Sequence, residues 1–343
     1  MDIAETLGYG HGPVGGRGRE ERVVGAFKMG RWLGRAAVAA TGLLAACSAG
    51  LLAGVPATAG AAAAVSAPSA HQAHAASSVT GYDLVGADGG VFVFGNSSGY
   101  YGSLPGLGIH VNNIVGIVPS PDDHGYLLVG SDGGVFAFGD AQYYGSLPGL
   151  GIKPAQPIVG IVPTSDGQGY FLVGRDGGVF TFGDAHYEGS LPGNGAKVND
   201  VTSIASTPSD QGYWVLEAGG QVTNFGDASN LVQAANSPGP LTNNEPYSSY
   251  VHICSTDTGQ GYWVLDTIGL VWTYGDANNY GDASGQAQGG EVPVSLVGTS
   301  DSQGYWIVTS NGDIVADGDA VSYGSLPQMG VTPSQPIVGA TPT

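Results

Sequence analysis

The stretch SDGGVFAFGDA, residues 131–141, decides the fold because variants of it occur six times along the chain. It places Asp132 and Asp140 on either side of a short run of valine and phenylalanine. A Gly-Tyr pair precedes each copy, and these pairs begin at positions 81, 125, 169, 212, 261 and 304, so one unit spans about 44 residues. Self-similarity at a period of about 40–45 residues is typical of β-propeller blades.

Each unit contains several short segments that are typical of β-strands. In the second unit, GYLLVG (125–130) and GVFAFG (134–139) are separated by Ser-Asp-Gly-Gly, which predicts a type I′ hairpin turn. PIVGIVPT (157–164) predicts a third strand, and QYYGSLPG (142–149) is a weaker candidate for a fourth. Both alternating sets of side chains in GVFAFG are apolar, which predicts burial on both faces. No sustained 3.6-residue apolar period follows residue 81, so we expect no core helix.

The end of the chain predicts how the repeats close. PIVGATPT (336–343) matches PIVGIVPT of the second unit, so it can complete the blade begun by residues 81–110 and leave no exposed sheet edge. We therefore predict an all-β fold, a six-bladed β-propeller built from six repeats of about 44 residues and closed by the C-terminal strand. The alternative is an open solenoid, or a partial ring that another chain completes.

The residues before the repeats have the composition of an export signal. Six of the nine Lys and Arg fall before residue 36, directly ahead of the apolar run AAVAATGLLAACSAGLLAGV and several Ala-x-Ala sites. This order predicts a secretory signal peptide. We assign residues 29–75 to the signal and an Ala-rich linker, residues 81–343 to the propeller, and residues 1–28 to an over-extended N-terminus. The alternatives are one retained membrane span and a lipid on Cys47 in the lipobox-like LLAAC.

The charge distribution disfavours several classes of partner. The chain has a formal net charge of −19, and after residue 35 its only basic residues are Lys153, Arg175 and Lys197. Nucleic acids and anionic lipids are bound by clustered Lys and Arg. We expect no nucleic-acid binding, and membrane contact only through the N-terminal signal or a lipid on Cys47.

The units GSDGGVFAFGDAQYYGSLPG and GRDGGVFTFGDAHYEGSLPG resemble a family of secreted bacterial β-propeller-like repeats with the pattern DGGVFxFGDAxxYGS, found in high-GC Gram-positive bacteria. The resemblance covers residues 81–343 and is fullest in copies two and three. It implies a propeller-like fold and a secreted or extracellular location, with anchoring at the cell surface as a further possibility. It brings no catalytic residues.

The recurring aspartates are interpreted as scaffold. An aspartate in Gly-Asp-Ala stands at 140, 184, 227, 276 and 319, where it could hold a cation ring or cap a turn. We favour the turn cap, because the residue recurs in every unit with Asn96 replacing it in the first, and a binding site needs unlike groups. Asp132 before Gly-Gly fits a hairpin turn better than a calcium loop, which needs several oxygen ligands. We predict no metal site, no cofactor and no catalytic residue.

Binding residues are predicted where the repeat pattern fails. The fourth unit is lengthened by residues 229–250, in which Glu245, Tyr247 and Tyr250 combine a carboxylate with aromatic rings, and Glu188 replaces a tyrosine of the third unit. The main hypothesis is an exported, non-enzymatic module that binds a cell-wall glycan or a surface protein. One alternative is a polysaccharide hydrolase or lyase that uses Glu188, Glu245 or His252 at the channel mouth. The other is a purely structural surface protein.

Overall fold

The computed structural model describes residues 81–95, 99–234, 249–285 and 291–343. These ranges consist of short strands and three 3₁₀ helices, Pro105–Leu107, Pro148–Leu150 and Pro192–Asn194. The strands, in chain order, are β1 (Gly81–Gly86), β2 (Val91–Gly95), β3 (Ile114–Pro119), β4 (Gly125–Gly130), β5 (Val135–Gly139), β6 (Ile158–Pro163), β7 (Gly169–Gly174), β8 (Val179–Gly183), β9 (Val201–Ser206), β10 (Gly212–Glu217), β11 (Val222–Gly226), β12 (Tyr250–Ser255), β13 (Gly261–Asp266), β14 (Val271–Gly275), β15 (Pro293–Gly298), β16 (Gly304–Thr309), β17 (Ile314–Gly318) and β18 (Ile337–Pro342). No helix in these ranges is long and apolar enough to cross a bilayer.

The strands form six antiparallel sheets of three strands each, and these are the blades of a propeller. Blade 1 is β18-β1-β2, and blades 2 to 6 follow in chain order from β3-β4-β5 to β15-β16-β17. In each blade the Gly-Tyr strand lies in the middle. The inner strand of every blade contacts the inner strands of both neighbouring blades, which closes a ring.

The C-terminal strand closes this ring, as the sequence predicts. β18 pairs antiparallel with β1, with Tyr82 opposite Pro342 and Leu84 opposite Ala340. The first blade is therefore built from both ends of the repeat region, and β18 pairs with the side of β1 that β2 leaves open. The predicted six-bladed, all-β architecture is confirmed.

The middle strands of the blades are buried, whereas an outer strand that the sequence predicts to be buried on both faces is not. Every residue of the middle strand β4 is buried, as is every residue of β1, β7, β13 and β16. The outer strand β5, VFAFG, is only partly buried, and Ala137 is exposed. The prediction that this strand is buried on both faces is wrong, because it lies at the blade edge and the middle strand lies between two neighbours.

Two further local predictions are wrong. The hairpin turns are not type I′, which needs two residues of positive φ, because each hairpin has only one. These residues are Gly89, Gly133, Gly177, Gly220, Gly269 and Gly312. Gly89 donates its N–H to Gly86 (2.8 Å), and Gly86 donates to Gly90 (2.9 Å), so a turn is followed by one left-handed glycine. QYYGSLPG is not a strand, since its proline begins a 3₁₀ helix at Pro148.

The blades pack on one another through a repeated aromatic contact. The tyrosine of each Gly-Tyr pair is buried. It packs against the residue that follows the equivalent tyrosine of the preceding blade. Ring centroids are 5.4 Å apart for Phe171–Tyr213, 5.6 Å for Trp214–Tyr262, 5.7 Å for Trp263–Tyr305 and 5.9 Å for Trp306–Tyr82. The hydrophobic core therefore consists of six interfaces between blades.

Candidate functional site

An axial cavity of about 450 Å³ opens where the inner strands end. Its wall is made mainly of serine, threonine, proline and glycine from all six blades, with carboxylates at Asp123, Asp210 and Asp257. Asp210 is not free to act on a ligand in the cavity, because both of its carboxylate oxygens accept hydrogen bonds from Ser165 of the preceding blade. The cavity wall is thus built largely from residues that join neighbouring turns.

In blades 3, 4 and 5 the aspartate of Gly-Asp-Ala holds the turn that follows the inner strand. Thr256, at the end of β12, donates its hydroxyl to Asp276 (3.0 Å), and Thr258 donates to the other oxygen of Asp276 (2.6 Å). Blade 4 repeats the arrangement with Thr207 and Asp227 (2.8 Å). The aspartates do have a scaffold role here, but they accept bonds from threonine about 20 residues earlier and do not cap their own turn.

One buried carboxylate interrupts the aromatic contacts between blades. Asp83 occupies the position of Trp263 and Phe171, is 2% exposed, and its Oδ1 has no hydrogen-bond partner. Burial, together with the nearby Asp123 carboxylate, raises the pKa of Asp83 to about 7. Asp123 lies on the cavity wall with a φ of 58°, and burial followed by repulsion from Asp122 raises its pKa as well.

A second group of titratable residues lies on the surface of blade 2. Ligand atoms of Asp122, His124 and Asp140 lie within 4.8 Å of one another, and all three residues are exposed. His124 Nδ1 is 2.7 Å from the carbonyl oxygen of Asp122 and 3.5 Å from its carboxylate. The sequence analysis did not find this group because its members come from two turns that only the blade brings together.

The opposite face of the ring carries a compact loop in four consecutive blades, 6, 1, 2 and 3. Each loop begins with a buried leucine whose N–H donates to the glycine of the adjacent hairpin turn, as Leu147 does to Gly133 (3.1 Å). We call the surface formed by residues 102–110, 145–153, 189–197 and 324–332 the loop face. It lies where the middle strands end, whereas the axial cavity lies where they begin.

The tip of each loop presents one side chain to solvent. Leu107, Leu150 and Met329 are 66%, 64% and 66% exposed. Asn194 has the equivalent position in blade 3, and its loop makes the same backbone hydrogen bonds and ends on the same left-handed glycine. The loop therefore does not need an apolar tip in order to form. Groups of exposed aliphatic side chains are typical of interaction surfaces.

Tyrosines lie beside these tips in three blades. Tyr100, Tyr143 and Tyr187 are each more than half exposed. Their hydroxyls lie 2.8, 2.9 and 3.0 Å from the serine three residues later, and that serine also accepts a backbone N–H from the loop. The rings are thus held in place before any ligand binds, which lowers the entropic cost of a contact.

The loop face is not among the binding sites predicted from the sequence. Ser-Leu-Pro-Gly is interpreted there as part of a weak strand, so the residue after it is not predicted to be exposed. The signal that could have found it is the variation Leu, Leu, Asn and Met at one position of an otherwise constant loop.

The structure separates the residues that the sequence predicts as binding residues. Glu188 is exposed, and its backbone N–H donates to the hydroxyl of Tyr213 (3.1 Å). Tyr250 begins β12, is 7% exposed, and packs edge-on against Trp272 with ring centroids 6.0 Å apart. Burial, with a smaller contribution from the Asp266 carboxylate, raises the pKa of Tyr250 to about 12. Tyr250 thus has the environment of a core residue.

The long fourth-unit loop is described only at its two ends. Residues 232–234 pair with the outer strand of blade 5, where Ala234 donates to Thr273 (2.8 Å) and Gly275 donates to Val232 (2.9 Å). Glu245 and Tyr247 lie outside the described residues.

Two half-buried residues of the inner strand β12 are His252 and Cys254. His252 stands where the inner strands β3, β6 and β18 have glycine, and burial lowers its pKa to about 4. Cys254 is a free thiol on the cavity wall, and burial raises its pKa to about 11. An imidazole with a pKa of about 4 is a weak base, and a protonated thiol is a poor nucleophile, so burial activates neither side chain at neutral pH.

Comparison with known proteins supports the architecture. No protein-family model matches the chain, and no curated relative matches it. Among solved structures, a chain of a nidogen/laminin complex has a TM-score of 0.50 at 10% identity, covering 76% of this chain and 97% of that one. The β-propeller domain of Cps50 (Swd1) from Myceliophteria thermophila has a TM-score of 0.44 at 12% identity, covering 71% and 82%. Sqt1 of Chaetomium thermophilum, bound to the N-terminus of ribosomal protein L10, has a TM-score of 0.43 at 14% identity, covering 66% and 64%. The chain is a six-bladed β-propeller, and at 10% identity its similarity to the chain of the nidogen/laminin complex is one of fold.

Proposed function

We propose that this chain is an exported, non-enzymatic module that binds a partner protein at the cell surface through the loop face of blades 6, 1, 2 and 3. The observation that carries the proposal is the exposure of Leu107, Leu150 and Met329 on loops that fold equally well with Asn194. Large aliphatic side chains cost solubility when they stay in water, and burying them in an interface recovers free energy.

Five further features support this proposal. The N-terminal residues have the order of a secretory signal, and the repeat resembles that of secreted bacterial proteins. The axial cavity, where an enzyme of this fold would gather unlike catalytic groups, is lined largely by turn residues that bond to one another. Aliphatic tips also suit protein partners better than glycans, which need many hydrogen bonds. The nidogen/laminin structure is a protein complex, and one of its chains is similar in fold to this one.

The test compares the wild-type chain with a Leu107→Asn/Leu150→Asn/Met329→Asn variant, in which asparagine copies blade 3. Each is immobilised and exposed separately to cell-surface proteins and to purified wall polysaccharide. We expect the variant to retain about one tenth or less of the bound protein, because three apolar contacts are lost. Ile268→Asn, an exposed position of blade 5, is the matched control and should bind as the wild type does.

Equal retention by the triple variant and the wild type would overturn the proposal. Retention of polysaccharide alone would instead favour a glycan as the ligand.

A further inference from the structure

Every Lys and Arg of the described residues lies on the loop-face side of blades 2 and 3. These residues are Lys153, Arg175 and Lys197, and each is exposed. Lys153 follows the loop of blade 2, Lys197 follows the loop of blade 3, and Arg175 begins the hairpin turn of blade 3. In a chain with a net charge of −19, this grouping makes one part of the loop face different from the rest.

Hydrogen bonds connect the three basic positions. The backbone N–H of Arg175 donates to the carbonyl of Pro157 (2.8 Å), which ends the segment that carries Lys153. The Arg175 side chain donates through Nε to the carbonyl of Asn199 (2.9 Å), two residues after Lys197. Arg175 thus joins the two loops, and its terminal guanidinium nitrogens make no hydrogen bond within the described residues.

A cavity of about 510 Å³ lies between the loop of blade 2 and the adjacent hairpin turn. Its wall is largely apolar, with Pro148, Ile152, Pro154 and Pro157, and Lys153 is part of the same wall. Leu150, the exposed tip of this loop, lies two residues from Ile152. Concave apolar walls with a few polar groups are typical of sites that receive one side chain of a ligand.

The basic residues are not neutralised by their neighbours. In the described part of the chain, His124 forms a salt bridge with Asp122. None of the three basic residues forms a salt bridge there. Asp200 lies three residues after Lys197, and two further acids lie close by, Asp132 in the cavity wall and Asp176 beside Arg175. The Oδ1 atoms of Asp132 and Asp176 accept backbone N–H groups of Gly134 (2.9 Å) and Gly178 (3.0 Å), so these two acids serve the hairpin turns.

We propose that this cavity binds an acidic segment of the partner protein, with one apolar side chain between Ile152 and the prolines and flanking carboxylates on Lys153, Arg175 and Lys197. The proposal rests on the proposed function and adds the chemistry of the partner. Unpaired cations around an apolar pocket favour carboxylates beside an apolar anchor, because each group then finds a complementary one. The acidic surface elsewhere repels the same segment and so directs it to this place.

The test uses three fluorescent synthetic peptides of equal length and the full chain, with binding measured by anisotropy. The first peptide has a leucine flanked by aspartates and glutamates, the second has the leucine flanked by lysines, and the third has serine in place of leucine between acidic flanks. We expect the first peptide to bind most tightly and to weaken at high salt. Lys153→Gln/Arg175→Gln/Lys197→Gln and, separately, Ile152→Ser should each weaken it about tenfold or more. Ile268→Ser is the control, and unchanged urea denaturation shows that each variant folds.

Equal affinity for the acidic and basic peptides, or an acidic peptide that binds the triple glutamine variant as tightly as the wild type, would overturn this inference. If the acidic peptide fails while capture of surface proteins still depends on Leu107, Leu150 and Met329, only this inference is wrong. If both fail, the proposed function is wrong as well.

Discussion

Blades 1 and 5 have the same three strands but differ at two buried positions. In blade 5, Trp263 is fully buried against Tyr305, and its indole N–H donates to Asn278 (2.7 Å). In blade 1, the equivalent residue is Asp83, whose Oδ1 has no partner. The hydroxyl of Thr256 in blade 5 donates to Asp276, whereas the equivalent hydroxyl of Thr343 in blade 1 has no partner among the described residues. Asn96, which takes the place of Asp276 in the first unit, lies outside those residues.

This difference shows that the backbone of a blade tolerates the loss of its best interactions. The strand pairing of blade 1 matches that of blade 5, since the register of β1 with β2 repeats that of β13 with β14. What changes is the free energy of the interface with the next blade. Buried polar groups without partners cost about 1–3 kcal/mol each, and charged ones cost more. Blade 1 is therefore expected to be the least stable blade.

The largest effect is expected from giving blade 5 the residue of blade 1. Trp263→Asp removes a buried indole and adds a buried carboxylate, so the free energy of unfolding should fall by about 5 kcal/mol or more at neutral pH. Urea denaturation measures the change, with Trp263→Leu as the control, since Leu127 has this position in blade 2. A loss no greater for aspartate than for leucine would show that charge burial has little weight at this interface.

Replacing the buried carboxylate of Asp83 with an apolar side chain should stabilise blade 1. The pKa of Asp83 is about 7 in the folded protein and near 3.8 when unfolded. Because the folded pKa is raised, the folded carboxyl keeps its proton over this window. The stability it contributes is fully present below about pH 4 and is lost as pH rises through about 7. Asp83→Leu should therefore gain up to about 4 kcal/mol more at pH 8 than at pH 4.

Denaturation of wild type and Asp83→Leu at several pH values measures this difference. Asp83→Asn is the second variant, because it removes the charge without adding apolar contacts. A gain that does not change with pH would show that Asp83 is neutral, or stays solvated, across the whole range.

A smaller effect is expected at the threonine–aspartate contact. Asp276→Ala leaves the hydroxyls of Thr256 and Thr258 without their acceptor. Hydrogen bonds to a charged group contribute about 1.5–3 kcal/mol, so the loss should lie in that range. A double-mutant cycle with Thr256→Val isolates the pair. Additive losses would mean that the contact adds no stability beyond its separate residues.

The sequence predicts the ring because the repeat itself carries the information. Gly-Tyr pairs at a regular spacing give the blades, and residues 336–343 give the closure. The sequence does not predict the raised pKa of Asp83. The repelling carboxylate of Asp123 belongs to the next unit, and only packing brings the two residues together. The hairpin type is missed for a local reason, because Asp-Gly-Gly fits two turns and the strand ends decide which forms.

The candidate site was less predictable than the fold. Glu188 and Tyr250 depart from the repeat, yet one is a rim residue and the other packs in the core. Departure from a repeat marks a change in local packing as readily as a binding site. The loop face follows the repeat in four blades, so only the exposure of its tips distinguishes it.

The smallest effect on stability is expected at these tips. Leu107→Asn should change the free energy of unfolding by no more than about 0.5 kcal/mol, because the side chain is 66% exposed and Asn194 occupies the same backbone in blade 3. Leu104, three residues earlier and fully buried, is the matched contrast, and Leu104→Ala should cost about 2–5 kcal/mol. Urea denaturation of both variants separates the two roles. A large loss for Leu107→Asn would mean that the tip stabilises blade 1 itself, and the loop face would then lose the feature that makes it a binding surface.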